Sequence, residues 1–374
     1  MILSRCGSLK NLTIERGHVI RRSREPITQA DIDALDAMLS PLSQLEEFKI
    51  KYFGYSSDED ARYSLSTEDT EDTSIQLHQD PRPKDQLQFP RSLTDRVRSL
   101  RSIALDGRPM DWIWPVFMRC IGPGLRSLST GAFLEAGDVD QFAAACTELE
   151  RFEQGNTSVT QAEVSKLIIS CGNHLKHIKI NGLHDEDGFQ RLQIPLDAMR
   201  PSVVQTLAEH SNSLEVPDLR NEVCVRLADL QALESSESCP ALRKLLTQNI
   251  EGQGAGVDPR IDAALAAVVE FHTDTLEEIR LACGRFGHDG FEVGNTFIRA
   301  CASLGPQIRE IDAKAAEDFD ITLVDVLYRK HPRLKPVEQL AEKSKLWKKE
   351  WKPRYDRLTQ ERIAKGKRER AMMG

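Results

Sequence analysis

The chain is poor in the features that usually announce chemistry. Its eight cysteines, at 6, 120, 146, 171, 224, 239, 283 and 301, include no C-x-x-C pair. Zinc sites generally rely on such close pairs to set ligand geometry, so neither a metal nor another cofactor is expected. No apolar run approaches the ~20 residues needed to cross a bilayer. The most apolar helix-like stretch, Ile261 to Phe271, carries Asp262 and Glu270, so no membrane partner is expected. Residues 1 to 6 lack a basic start followed by a sustained apolar core, which argues against secretion and for a reducing compartment, cytoplasmic or nuclear. No G-x-S-x-G elbow and no activated-cysteine signature is present, so an enzyme is not expected. Aromatic residues are only 6% of the chain, which favours layered packing of Leu, Ile and Val over an aromatic-rich sandwich.

What the chain does have is repetition. The pattern Leu-x-x-(Leu/Ile/Phe)-x-(Leu/Ile), whole or in its first half and preceded by a short turn containing Cys, His or Gly, recurs with anchors at 9, 45, 100, 125, 149, 175, 214, 242, 276 and 308, the last of them Ile; nine of the ten have Leu, Ile or Phe three residues on, and the exception is Pro217. Between anchors 100 and 175 the spacing is 24 to 26 residues, within the range of a leucine-rich repeat. The 55 residues between anchors 45 and 100 require an insertion. The last two apolar residues of each motif are two apart, so on an extended strand they share one face and the residues between them share the other. Helix-like segments with apolar residues at three and four lie between: 31–39, 138–145, 159–170, 201–209, 261–269, 289–301 and 319–328. Thr160 and Glu163 have capping-box spacing, and Asp258-Pro259 places a cap residue before a first-turn proline.

A strand followed by a helix, repeated, predicts an α/β fold. It is a leucine-rich-repeat solenoid, or horseshoe, with short parallel strands on the concave face and helices on the convex face. The solenoid spans 1–332. Within it, residues 56–90 read as a disordered acidic insertion: Ser56 to Asp80 holds eight acids against one Arg and cannot bury enough apolar surface to fold. Residues 333–374 form a basic tail with 14 Lys and Arg against 6 Asp and Glu, a net of +8, so with −8 overall the rest of the chain carries −16. The chain opens in mid-repeat, Cys6 and Leu9 coming before any helix. A solenoid needs a terminal cap, so upstream sequence is expected.

The repeats Cys171-Gly-Asn-His-Leu175-Lys-His-Ile178-Lys-Ile180, Cys146-Thr-Glu-Leu149 and Cys239-Pro-Ala-Leu242 resemble the cysteine-containing repeats of F-box/leucine-rich-repeat proteins. In that family an N-terminal F-box bundle docks onto a cullin-RING ubiquitin ligase and the repeats capture a substrate. The resemblance implies a substrate-recognition role and, if an F-box lies upstream, a cullin-RING ligase adaptor as a second partner. No F-box is recognisable here.

On the horseshoe reading, the second, fourth and sixth residues after each anchor line the concave face. The expected partner-binding residues are Arg151, Glu153, His177, Lys179, Asn181, Asp218, Arg220, Lys244, Glu278 and Arg280, with Glu47, Lys49, Lys51, Gln248, Glu310, Asp312 and Lys314 in equivalent places. A mixed-sign surface suits a protein or peptide. It suits nucleic acid poorly, because a phosphate backbone requires a coherent basic stripe.

Gly252-Gln-Gly254-Ala-Gly256 resembles a phosphate loop but lacks its lysine, and Asp258 would repel the phosphate. His184–Gly188 and Gly287–Gly290 read as turns. Trp347 to Tyr355 interleaves aromatics with cations, and Lys365 to Arg370 is a basic cluster. Three readings of the tail compete: a nuclear-import signal, a nucleic-acid contact that would make the chain a nuclear adaptor, or a helical cover for the last repeat.

Overall fold

The structure, a computed structural model, describes residues 7–16, 29–52, 88–105, 114–130, 136–154, 160–180, 202–234, 239–250, 257–281, 292–313, 320, 322–331, 334, 357, 360, 364 and 368. The chain divides into two compact units, Met1–Val159 and Thr160–Gly374. Each alternates strand and helix, as the α/β repeat reading expects.

The first unit holds β1 (Asn11–Arg16), α1 (Gln29–Leu39), β2 (Glu47–Tyr52), α2 (Arg91–Arg98), β3 (Ser102–Leu105), α3 (Trp114–Cys120), β4 (Ser127–Thr130), α4 (Ala136–Ala145) and β5 (Arg151–Gln154). Its strands pair in parallel and in chain order. The second unit holds α5 (Gln161–Cys171), β6 (His177–Ile180), α6 (Val203–His210), β7 (Val216–Val225), α7 (Leu227–Leu233), β8 (Lys244–Ile250), α8 (Pro259–Phe271), β9 (Glu278–Leu281), α9 (Asn295–Ser303), β10 (Glu310–Ala313) and α10 (Thr322–Lys330). Its strands are likewise parallel and sequential.

One rule places every described strand: it begins two residues after its anchor. The cause is a repeated pair of backbone bonds, in which the carbonyl just after one anchor accepts two N–H groups from the next strand. The Lys10 carbonyl receives Glu46 N at 2.8 Å and Glu47 N at 2.9 Å, and the Arg101 carbonyl receives Arg126 N at 2.7 Å and Ser127 N at 2.9 Å. In the second unit the Glu215 carbonyl receives Arg243 N at 2.9 Å and Lys244 N at 3.0 Å.

The side chains alternate as a half-buried strand demands, Ile103, Leu128, Phe152, Ile178, Ile279 and Ile311 all turning inward. Fully burying such side chains contributes roughly 1.5–3 kcal/mol each, which makes the aliphatic layers the main stabilising element. Phe48 and Phe117 stack inside the first unit with ring centroids 5.5 Å apart. Pro217 has no N–H to donate, and the paired register of β7 with β8 starts only at Asp218–Leu246 and then shifts between Leu219 and Cys224.

Helix starts follow the cap chemistry. Thr160 and Glu163 form a reciprocal box at α5, and Asp258 caps α8 with Pro259 in its first turn. In the second unit the caps also join neighbouring repeats. Ser202 Oγ donates to Asp229 Oδ1 at 2.5 Å, linking the starts of α6 and α7. Buried Asp262, in the first turn of α8, accepts Gly294 N at 2.6 Å and Thr296 N at 3.1 Å and so caps α9. Asn295 Oδ1 accepts Asp320 N at 2.7 Å ahead of α10.

Helices α2, α3 and α7 were not expected from the sequence. Helices α3 and α7 have seven residues each, too short to show a stripe, and α2 buries only Leu93 and Val97 among five arginine, serine and threonine neighbours. Most of the acidic stretch lies outside the described residues. Its last residues are held in place, Gln88 exchanging two hydrogen bonds with Gln29 on α1. The glycine loop 252–256, the turns at 184–188 and 287–290 and nearly all of the tail also lie outside the described residues.

Candidate functional site

Side chains on the outward strand positions form a register-locked array. In the second unit, Lys244 Nζ meets Glu278 Oε2 at 2.6 Å, Glu278 Oε1 meets Arg280 Nε at 2.6 Å, and Arg280 Nη2 reaches Glu310 Oε1 at 3.0 Å. The chain of contacts runs across β8, β9 and β10 because Lys244, Glu278 and Glu310 share one register and Arg280 and Asp312 the next. Half-buried Asp312 is left over. Its carboxyl is raised above the ordinary range, first by burial and then by Glu310, with Arg280 opposing.

In the first unit Arg151 pairs with Glu153 on the same strand. Ser102, Ala104, Ser127 and Ser129 form a low floor between that pair and Glu47 with Lys49. Partly exposed ion pairs contribute at most about 1 kcal/mol each, so these charges do not hold the fold together.

Of the residues expected to contact a partner, Arg151 is exposed, and Glu153, His177, Lys179, Lys244, Glu278 and Arg280 are half-exposed on the outward positions. Asp218 departs from expectation: it is 5% exposed, beside Leu246 at 6%. This is where β7 and β8 are longest, at 10 and 7 residues, and where their register is irregular, so the simple outward alternation does not carry through. Arg220 and Gln248 lie in β7 and β8, Lys51 in β2, and Asn181 and Lys314 outside the described residues.

Among the described residues, ten parallel strands, nine opened by an anchor leucine and β10 by Ile308, alternate with helices and decide the architecture. The repeats are of the leucine-rich type.

No protein-family model matches the chain, and no curated protein matches it. Among solved structures, a chain of the crystal structure of the Rad7 and Elc1 complex from yeast is similar at 14% identity, over 83% of this chain and 82% of that one, with a TM-score of 0.33. Among the described residues no group of three or more His, Cys, Asp or Glu is placed to hold a metal ion, and no helix is long and apolar enough to cross a membrane.

The sequence carries a further signal: the residue just after every anchor is charged. The row reads Lys10, Glu46, Arg101, Arg126, Glu150 in the first unit and Lys176, Glu215, Arg243, Glu277, Arg309 in the second. In the second unit the signs alternate and the charges meet, Arg243 bonding Glu277 at 2.5 Å and Glu215 at 3.1 Å.

The cysteines at 120, 146, 171, 239 and 301 are buried free thiols. Burial pushes Cys171 and Cys239 up to about 12 and raises Cys120 and Cys301 as well. Since the thiolate is the nucleophile, these four are expected to resist alkylation by iodoacetamide in the native protein and to react fully in urea. Mass-spectrometric mapping that found any of them labelled without unfolding would contradict this packing.

His272 is 4% exposed, with Nε2 3.2 Å from the Leu233 carbonyl. The carbonyl can only accept, so Nε2 carries the proton. Burial holds its pKa below the ordinary histidine range, the hydrogen bond opposing, and His331 is lowered in the same direction, also by burial. The unfolded chain therefore binds more protons. Stability is fully present above about pH 6.5 and is lost as pH falls through the lowered folded values. The urea midpoint is expected to drop between about pH 7 and pH 5, and His272→Gln to flatten part of that slope; an identical slope in the variant rules His272 out as a source.

Proposed function

We propose that this chain is a protein-interaction scaffold whose outward strand positions contact a protein partner, and that it is the substrate-recognition part of an F-box-type ubiquitin ligase. The scaffold is one solenoid over 1–332, interrupted by the acidic insertion 56–90 and followed by the basic tail 333–374. The observation that carries the reading is the Lys244–Glu278–Arg280–Glu310 array, which fixes four alternating charges in register on partly exposed strand positions. Fixed, paired charges of both signs give register and specificity to a polar protein surface more than raw affinity. The ligase assignment rests on the likeness of the cysteine-containing repeats to that family.

The test is proximity labelling with the intact gene product and two variants. One carries alanine at His177, Lys179, Lys244 and Arg280. The other carries Glu209→Ala, on an exposed helix position of α6. Partners enriched by the wild type and by Glu209→Ala, but lost from the strand variant, support the scaffold. An unchanged partner set with the strand variant sinks it, and absence of any cullin-ligase adaptor removes the ligase part alone.

A further inference from the structure

The charge row that follows the anchors breaks its alternation in one place in the first unit, where Arg101 and Arg126 stand side by side. They are register neighbours, Arg126 N donating to the Arg101 carbonyl at 2.7 Å. Like charges in adjacent register are destabilising, so each needs an acid elsewhere. Arg126 has two, Glu148 at 2.7 Å and Glu150 at 3.8 Å. Arg101 makes no close ion pair among the described residues: Glu46, the acid beside it in the row, feels its charge but is bonded to Lys10 at 2.9 Å.

Arg98, three residues upstream, likewise makes no ion pair among the described residues, and both arginines are exposed. Arg98 is placed by the turn ahead of β4. A Cβ at Gly122 would come within 2.4 Å of Arg98 Cγ and 3.1 Å of its carbonyl, so only glycine lets the arginine stem lie across this turn. Pro123 and Gly124 beside it are exposed, leaving the surface open. Arg96 is already committed, donating to the Ser43 carbonyl at 2.8 Å.

We infer that Arg98 and Arg101 form a second binding surface, at the turn edge of the first unit, that receives a carboxylate-rich segment of a partner protein. A guanidinium presents a planar fork of donors matched to a carboxylate, and here neither fork is closed by an ion pair among the described residues. Glu46 on one side and Glu148 with Glu150 on the other bound the patch, which limits it to a short acidic motif and denies a phosphate backbone the continuous track it needs. This surface is independent of the strand face: either can fail without the other.

The probe is a fluorescein-labelled peptide of alternating Glu and Ser, titrated with the full chain and followed by anisotropy at low and high salt. The wild type is expected to bind with a salt-sensitive affinity. The double variant Arg98→Ala/Arg101→Ala is expected to bind about tenfold more weakly, close to the loss of one charge-assisted pair. Arg98→Lys/Arg101→Lys should lie between, keeping the charges and losing the forks. Arg309→Ala, in the paired row of the second unit, should bind like the wild type.

Equal thermal midpoints for wild type and double variant separate lost binding from lost folding; a double variant that unfolds is replaced in the comparison by the lysine pair. Affinity unchanged in the double variant overturns the inference, as does an equal loss in Arg309→Ala. Binding that emerges only after residues 56–80 are excised overturns the partner assignment in favour of the chain's own acidic segment. Tighter capture of a single-stranded oligonucleotide through the same arginines overturns it in favour of nucleic acid.

Discussion

Replacing Asp262 with alanine is expected to cost about 3 kcal/mol, a large share of the stability of a domain this size. The carboxylate is 3% exposed and takes two backbone N–H groups at the start of the next helix, from Gly294 at 2.6 Å and Thr296 at 3.1 Å. Hydrogen bonds to a charged group contribute roughly 1.5–3 kcal/mol, and truncation also strands the buried Gly294 donor. Asparagine keeps one acceptor oxygen but turns an amide toward the second N–H, so Asp262→Asn should fall between. Urea denaturation of the three proteins, read as a midpoint shift at constant slope, checks the order. An alanine variant within about 0.5 kcal/mol of the wild type would mean that the helix start is held by other contacts.

Phe117→Ala is expected to cost about 3–5 kcal/mol, the usual range for deleting a buried aromatic ring. Phe117 is fully buried and stacked on Phe48 with centroids 5.5 Å apart, so both the transfer free energy and the ring contact are lost. Leucine at the same place should recover part of the loss by refilling the cavity. Because the pair lies inside the first unit, the stability lost should appear as earlier hydrogen exchange in β2 and β3 ahead of β9 and β10. Uniform loss of protection across all strands would show instead that the chain opens as one cooperative block.

The strands were legible because an anchor leucine, two solvent-facing neighbours and two inward apolar residues form a pattern of period two that survives any spacing between repeats. Leu100, Ile103 and Leu105 show it plainly. The long helices were legible for the same reason at period 3.6, and Thr160 and Asp258 marked their starts. Short helices such as α2 carry two buried residues, too few to distinguish from chance.

The buried state of Asp218 was hidden because it depends on which residues of neighbouring strands lie over it, and Pro217 gave only a local warning. The partners of Asp262 lie 32 and 34 residues away, a distance no local pattern spans. The charge row after the anchors was readable all along. It has no apolar periodicity, and surface charge is easily taken for mere solvation.

The twofold backbone bond at the heads of β2 to β5 and of β7 to β10 makes that end of those repeats an index mark and leaves the other end unmarked. Successive anchors lie 24 to 55 residues apart, yet no described strand slips from its mark by a single residue. Length can therefore be added or removed beyond the tail of a strand without altering the spacing of the rungs. New loops can be grafted there while the rest of the molecule keeps its pitch.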